Sequence, residues 1–297
     1  MALDLAILYR GPLQSCDYGC GYCPFAKHAA SPAEVEADRA ALERFMAWVR
    51  ARPVGDLFRV FFIPWGEALV HGGYQDAFAE LTRLPQVRKV VAQTNLSGPV
   101  EWLSKADAGK AALWATWHPD WVERARFLAK VDQVRGLGAR ISVGVVGFRR
   151  WRDEIASLRR ELPREVYLWI NAVKNPWGPE REHPAEAYSA DDVAFFAAID
   201  LNFPTNLVEH PSRGKPCRTG TSVVTVDGEG IVRRCPFVKE PVANLYEPGF
   251  EEKLVERPCP EATCGCHIGY VHLDDLGLER TYGDGILERI PSVWPES

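Results

Sequence analysis

The sequence lacks the features of a membrane or secreted protein. No stretch of its 297 residues approaches the roughly 20 apolar residues that a membrane-spanning helix needs. The opening segment MALDLAILYR has no basic region before its apolar run, contains Asp4 within that run and lacks a small-residue cleavage site. It therefore predicts a strand and not a signal peptide. We expect a cytoplasmic protein, in which cysteine thiols stay reduced.

The sequence also lacks an excess of basic charge. The chain has 35 Lys and Arg against 40 Asp and Glu, a net charge of -5, so its composition gives no basic footprint and does not favour nucleic acid as a partner. An apolar fraction of 46% and a charged fraction of 25% are typical of a globular protein. The length is sufficient for one large α/β domain and a smaller one.

No cysteine lies between Cys23 and Cys217, so the eight cysteines form two groups. The first is the stretch CDYGCGYC, and the second lies near the end of the chain; the members are Cys16, Cys20 and Cys23, then Cys217, Cys235, Cys259, Cys264 and Cys266. Because cytoplasmic thiols stay reduced, clustered cysteines are better explained as metal ligands than as disulfides. The two groups predict two metal centres.

The cysteine-free interval alternates short apolar runs with helical patterns, as βα units do. Candidate strands are Leu5 to Tyr9, Phe58 to Ile63, Lys89 to Gln93, Ala112 to Trp117, Arg140 to Val146 and Val166 to Ile170. Helices are predicted after a capping box at Ser31 to Glu34, from near Pro119 to Gly136, and at about 73–84, 99–109, 151–161 and 189–199. Six βα units predict an α/β fold, a partial (β/α)6 TIM-like barrel over residues 1–205, followed by a small module over 206–297.

The first cysteine group follows the first predicted strand, where the active-site loops of a parallel barrel lie. By itself C-x3-C-x2-C also fits zinc, whose ligand pairs are commonly two to four residues apart. However, only three thiolates are close in sequence, whereas a structural zinc or a fully ligated cluster has four protein ligands. The trio therefore predicts an iron with an open coordination position.

This loop resembles the signature of the radical S-adenosylmethionine (SAM) superfamily, which has the same cysteine spacing and an aromatic residue before the last cysteine, here Tyr22. The resemblance implies that Cys16, Cys20 and Cys23 hold a [4Fe–4S] cluster. It also implies that the fourth iron of that cluster chelates the amino and carboxylate groups of S-adenosylmethionine.

Residues at the ends of other predicted strands also resemble motifs of the superfamily. Gly66 and Glu67 match the Gly-Gly-Glu-like stretch that binds the cofactor's amino group, although Trp65 replaces a glycine. Asn95 matches a Thr-Asn ending and could face the ligand, but a plain Asx turn accounts for it equally well. His118 could touch the cofactor or donate a proton, or it could cap the next helix.

The loop after the sixth strand contains Asn171 and Lys174, which would close over the site or simply form a surface turn. Trp65, Trp117 and Trp177 are predicted near the same barrel mouth. Together they would form an apolar wall that excludes water, which a radical intermediate requires.

The second cysteine group contains Cys217, Gly230 and Cys235 in the pattern C-x12-G-x4-C. This pattern resembles the auxiliary-cluster module called SPASM, or its shorter form, twitch, in which a β-hairpin separates the two thiolates. The intervening residues 222–232 predict such a hairpin, because β-branched runs flank a Gly-rich turn.

The last cysteines follow the pattern C-x4-C-x-C-H. They supply three thiols where the full SPASM form has four, so the resemblance implies one auxiliary [4Fe–4S] cluster and not two. Its expected ligands are Cys217, Cys235 and Cys259 with either Cys264 or Cys266. The fifth thiol would be a proton or hydrogen donor to a substrate radical, or a bystander. A structural zinc knot that includes His267 is the alternative.

The resemblance implies an enzyme that splits S-adenosylmethionine by one electron and forms a 5′-deoxyadenosyl radical, which abstracts hydrogen from a substrate. The implied partners are an electron donor such as flavodoxin or ferredoxin and an unidentified peptide, protein or small-molecule substrate. The alternative function is a non-catalytic zinc-binding scaffold. The tail from Gly269 to Ser297 is expected to pack under the small module.

Overall fold

The computed structural model describes residues 2–174 and 185–294. Its strands are β1 (Asp4–Arg10), β2 (Leu57–Phe62), β3 (Val87–Thr94), β4 (Ala111–Trp117), β5 (Arg140–Val146), β6 (Leu168–Asn171), β7 (His210–Pro211), β8 (Val223–Asp227), β9 (Ile231–Arg233), β10 (Pro241–Asn244) and β11 (Thr263–Cys264). Its helices are α1 (Pro32–Ala51), α2 (Gly72–Arg83), α3 (Arg124–Gly136), α4 (Arg152–Glu161), α5 (Ala190–Ile199), α6 (Phe203–Leu207), α7 (His267–Tyr270) and α8 (Leu278–Tyr282).

In the described residues, nine strands form one sheet in the order β10-β9-β8-β1-β2-β3-β4-β5-β6. Strands β1 to β6 are parallel neighbours in sequence order, which confirms the predicted α/β fold and the partial barrel. The predicted hairpin forms from β8 and β9, which are antiparallel, and β8 also pairs in parallel with β1. The chain beyond residue 205 therefore extends the sheet of the barrel through β8.

Helix α1 begins at the predicted capping box. Ser31 Oγ accepts a hydrogen bond from Glu34 N at 3.3 Å, and the Glu34 carboxylate accepts one from Ser31 N at 2.8 Å. Pro32 occupies the first turn, where its missing N–H costs nothing. The buried face of the helix, which includes Phe45 and Val49, packs on the outer side of the sheet.

Two helix predictions were wrong, because local turns end or delay the helix. The segment 99–109 has only a short 3₁₀ helix, Glu101–Lys105, since Asp107 starts an Asx turn by accepting from Gly109 N. The helix expected from Pro119 begins only at Arg124. Before it, the backbone N–H groups of Trp121 and the next residue both donate to the His118 carbonyl, which forms a turn.

The inner face of the sheet is filled by the end of the chain. The apolar side chains that meet there come from the strands and from the tail; they include Leu8, Phe61, Trp114 and Trp169 with Ile286 and Leu287. Gly144 in β5 is required for this packing, because a Cβ at that position would lie 1.9 Å from the Trp169 ring. The earlier part of the tail, around Tyr270 and Tyr282, packs against Cys217 of the second cysteine group. The expectation that the whole tail packs under the small module is therefore wrong for Ile286 and Leu287, which enter the barrel.

A buried ion pair attaches the tail to the barrel. Lys89 of β3 is directed inward, and its Nζ lies 2.8 Å from Glu288 Oε1 and 2.5 Å from Asp284 Oδ2. Arg140 of β5 also contacts Glu288, at 3.0 Å, and Ser142 Oγ donates to the Glu288 carbonyl at 2.6 Å. The inner surface of the barrel and the tail are therefore joined by charge as well as by apolar contact.

Within residues 2–174 and 185–294, no helix combines the length and apolar character needed to cross a bilayer.

We predict that Lys89→Met lowers the free energy of unfolding by about 3 kcal/mol, because it leaves the fully buried Glu288 without its closest cation. Urea unfolding would measure the loss. The matched control is Lys105→Met, which removes a surface pair with Asp76 and should cost no more than about 1 kcal/mol. Equal losses in the two variants would contradict the role of the buried pair.

Candidate active site

A cavity lies at the carboxyl ends of the barrel strands, where a parallel barrel places its active site. The side chains that line it come from the first cysteine group, the strand ends, the second module and the tail. They include Cys16, Cys20, Tyr22, Cys23, Gly66, Glu67, Asn95, His118, Asn171, Lys174, Cys266, His267 and Arg289. The structure therefore brings all the predicted cofactor-binding residues to one cavity.

The first three cysteines lie in the loop that follows β1. Backbone hydrogen bonds shape this loop, from Cys16 N to the His28 carbonyl at 2.9 Å and from Cys23 N to the Cys20 carbonyl at 3.0 Å. The three sulfur atoms are close enough for their charges to interact. Burial raises the pKa of Cys16 to about 11 and that of Cys20 to about 12, so the metal-free thiols are protonated at neutral pH.

Gly66 and Glu67 follow β2 and hold the cysteine loop. A Cβ on Gly66 would lie 1.9 Å from the Ser15 carbonyl oxygen, and Glu67 N donates to that same oxygen at 2.7 Å. Only glycine permits this approach, which explains why this glycine of the expected motif is present. Trp65 replaces the other glycine, and its ring lies against the Arg10 guanidinium, 4.1 Å from Cζ to the ring centroid.

The Glu67 carboxylate is 1% exposed and is oriented by its own chain. It accepts hydrogen bonds from Leu69 N at 3.0 Å, from Thr94 Oγ1 at 3.0 Å and from Asn95 N. Burial raises its pKa to about 7, although these hydrogen bonds act in the opposite direction. The carboxylate thus ties the end of β2 to the end of β3.

Asn95 combines the two roles that the sequence left open. Its Oδ1 accepts from Ser97 N at 2.8 Å, which is an Asx turn. Its Nδ2 donates to Asp17 Oδ1 at 3.0 Å and lies 4.0 Å from Cys16 Sγ. The amide therefore connects the third strand to the cysteine loop and lines the cavity.

His118 does not cap a helix, because α3 begins at Arg124 with Glu123 as its N-cap. Its Nδ1 is instead 2.7 Å from the Tyr22 hydroxyl and 3.5 Å from Cys20 Sγ. Burial lowers the pKa of His118 to about 4, so the imidazole is neutral at physiological pH. The ring faces the cavity beside the first cysteine group.

The predicted tryptophan wall is partly wrong. Trp65 lines the cavity, but Trp117 is buried on the outer side of β4, where its Nε1 donates to the Val122 carbonyl at 3.0 Å. Side chains alternate along a strand, so Trp114 is the β4 tryptophan that faces inward, together with Trp169 of β6. Trp177 lies outside the described residues.

The thiols of the second cysteine group lie near one another, and Cys266 differs from the others by lining the main cavity. Cys217, Cys235, Cys259 and Cys264 lie close enough for their charges to interact, Cys264 also interacts with Cys266, and burial raises the pKa of Cys235 to about 11. Cys266 lines the main cavity, and the cations that act on its thiol are Arg10, Lys174 and Arg289. Within the described residues, no three His, Cys, Asp or Glu side chains form a site for a single metal ion.

Two residues that line the cavity, Arg10 and Arg289, were not predicted from the sequence. Arg10 is the last residue of β1, and its inward position could have been found from the alternation of the strand. Arg289 had no such signal, because it reaches the cavity only through the insertion of the tail into the barrel.

No family model matches the chain, and no curated protein matches its sequence. Among solved structures, native anSMEcpe with bound AdoMet and Cp18Cys peptide aligns over 84% of this chain and 82% of its own, at 13% identity and a TM-score of 0.52. Native anSMEcpe with bound AdoMet covers the same shares at 12% identity and a TM-score of 0.53. The similarity shows that this chain has the same fold as these anSMEcpe structures.

We predict that Gly66→Ala lowers the free energy of unfolding by about 1–3 kcal/mol, because the new methyl group collides with the Ser15 backbone. Gly55→Ala is the matched control, since a Cβ there meets nothing within 4 Å and the change should be neutral or slightly stabilising. Urea unfolding of both variants checks the difference. If Gly66→Ala is as stable as the control, the close approach is not required.

Proposed function

We propose that this protein is a radical SAM enzyme that binds a [4Fe–4S] cluster through Cys16, Cys20 and Cys23. The observation that supports it is the position of these three thiols, in one loop at the cavity of a radical SAM fold. Three thiols leave one iron of a cubane cluster open to a ligand. When bound, the cluster and S-adenosylmethionine would supply one-electron cleavage of a carbon–sulfur bond and, through the 5′-deoxyadenosyl radical, abstraction of hydrogen from the substrate.

The chain would orient the cofactor from three strand ends. Glu67 presents a carboxylate for the amino group of S-adenosylmethionine, and Gly66 allows the backbone to approach closely. Asn95 provides an amide next to Cys16. The neutral His118, hydrogen-bonded to Tyr22, supplies a polar contact on the opposite side of the loop and is not an acid at neutral pH.

We assign the auxiliary [4Fe–4S] cluster to Cys217, Cys235, Cys259 and Cys264, within a SPASM- or twitch-like module over residues 206–297. The mutual proximity of these thiols supports the assignment. Cys266 then remains as the fifth thiol, and its place in the cavity suits a proton or hydrogen donor to the substrate.

The substrate is a peptide, protein or small molecule that enters the cavity between the barrel and the second module. The anSMEcpe structure with its Cp18Cys peptide provides a precedent for a peptide. The electron would come from a small donor such as flavodoxin or ferredoxin. We place the enzyme in the cytoplasm, where reduced thiols are available for cluster assembly.

We predict that the anaerobically reconstituted protein holds about eight irons and, once reduced, releases 5′-deoxyadenosine from S-adenosylmethionine. Cys20→Ala should keep about four irons and release no 5′-deoxyadenosine, because only the cluster with the open iron loses a ligand. Iron analysis and chromatography of the products measure the two effects.

Cys235→Ala is the matched control, because it removes a ligand from the other centre. It should lose a similar amount of iron and still release 5′-deoxyadenosine. Full activity of Cys20→Ala would refute the assignment. Colourless protein with stoichiometric zinc and no cleavage product would favour the zinc-binding scaffold.

We also predict that Cys264→Ala reduces the iron content from about eight to about four, whereas Cys266→Ala retains about eight. The reason is that Cys264 lies with the other three thiols and Cys266 faces the cavity. Iron and sulfide analysis of the two purified variants tests this prediction. The reverse pattern would make Cys266 the fourth ligand.

A further inference from the structure

The end of the chain places a buried arginine in the active-site cavity. Arg289 is 1% exposed and lines the cavity, with its Cζ 4.5 Å from the Trp169 ring centroid and 5.7 Å from that of Trp114. Its backbone has φ of 57°, in the left-handed region that residues other than glycine rarely adopt. Such backbone strain in a non-glycine residue is concentrated at functional sites.

The guanidinium of Arg289 is only partly satisfied by the protein, whose contributions come from the charge of Asp200 and from the Tyr282 hydroxyl. In the described part of the chain, its Nε and Nη2 have no hydrogen-bond partner. Asp200 acts on Arg289 through its charge, whereas its oxygen atoms accept hydrogen bonds from Tyr167 Oη and, at 2.8 Å, from Ile170 N. A buried guanidinium with two unsatisfied donors is costly, although the aromatic rings compensate part of the cost.

Two other buried nitrogen atoms without partners line the same cavity. They are Trp114 Nε1, which can only donate, and His267 Nε2. The two rings are 5.5 Å apart, and the Arg289 guanidinium lies over the first of them. His267 Nδ1 lies 3.4 Å from the Tyr270 hydroxyl, and the tautomer in which Nδ1 accepts that proton has Nε2 as a donor. Arg289, Trp114 and His267 thus present hydrogen-bond donors to the same part of the cavity.

The charges along the cavity are unevenly distributed. Arg10, Lys174 and Arg289 line it beside Cys266, whereas Glu67 is the one carboxylate among the described lining residues. Glu67 is held by the ends of β2 and β3, next to the first cysteine loop. The described lining of the cavity therefore has an excess of cations, of which Lys174 and Arg289 lie beside Cys266 and Arg10 also lies over the Trp65 ring.

We propose that Arg289, with Trp114 and His267, forms a subsite that binds an oxyanion of the substrate, a carboxylate or a phosphate. A guanidinium with two free N–H groups matches such a group, and the flanking indole and imidazole donors would complete its coordination. This inference rests on the proposed function for the identity of the substrate. The subsite is built from β4, His267 and the tail, whereas the carboxylate of S-adenosylmethionine would be bound at the loop of the first cysteine group.

The test is isothermal titration calorimetry of the anaerobically reconstituted protein with inorganic phosphate and, separately, with acetate, at constant ionic strength in chloride. We expect saturable binding of at least one of the two anions, and the preferred anion gives the chemistry of the substrate group. Saturating S-adenosylmethionine should leave this binding in place. Loss of the binding on addition of S-adenosylmethionine would assign the residues to the cofactor and overturn the proposal.

Arg289→Met should weaken the binding by about ten- to a hundredfold, because a charge-assisted pair of hydrogen bonds is lost. Arg150→Met is the matched control and should bind as the parent protein does, since Arg150 also lies over two aromatic rings but outside the cavity. Trp114→Phe keeps an aromatic side chain but removes the indole N–H along with part of the ring system, so it should weaken binding severalfold and tests the subsite even if Arg289→Met does not fold.

No saturable binding of either anion to the parent protein would overturn the proposal, as would unchanged binding in both Arg289→Met and Trp114→Phe. Release of 5′-deoxyadenosine is measured on the same samples. Anion binding without cleavage would retain the subsite and reject the radical SAM function, so the two failures are distinguishable.

Discussion

An open parallel barrel has an apolar inner face that no helix covers, and this face must be buried for the sheet to be stable in water. Here the end of the same chain covers it. Leu287 packs among the inward side chains of the strands, and the pair of Lys89 and Glu288 fixes the position of the segment. Arg289 follows directly and enters the cavity. The filling of the barrel and the chemistry of the cavity are therefore consequences of one packing requirement.

The cavity combines rigid support with charge of both signs. The Glu67 carboxylate is oriented by hydrogen bonds from three neighbouring residues, so its position is fixed before any ligand arrives. Arg10 is fixed in the same way, by the Ile63 carbonyl at 3.0 Å and by the face of Trp65. Charges that are oriented in advance need little reorganisation when a ligand binds, and this favours precise placement of a reactive group.

The sequence allowed prediction of those features that depend on local patterns. The six parallel strands follow from apolar runs, the start of α1 follows from the capping box at Ser31, and the cysteine loops follow from spacing. The helix errors arose because turns at Asp107 and His118 interrupt apolar patterns. Trp117 was predicted on the wrong face of the sheet, because β4 is apolar on both faces and the sequence does not show which of its tryptophans points inward. The position of Arg289 depends on contacts between distant parts of the chain, which local patterns do not contain.

Strand β1 lies at the centre of the sheet, paired on one side with β2 and on the other with β8. Ala6 pairs with Val223, so one edge of the first strand stays open until a segment more than 200 residues further along the chain has been made. Contacts of such long sequence separation form late and slow the completion of a fold. The loop of the first cysteine group, which leaves β1, therefore gains the support of a complete strand only late in folding.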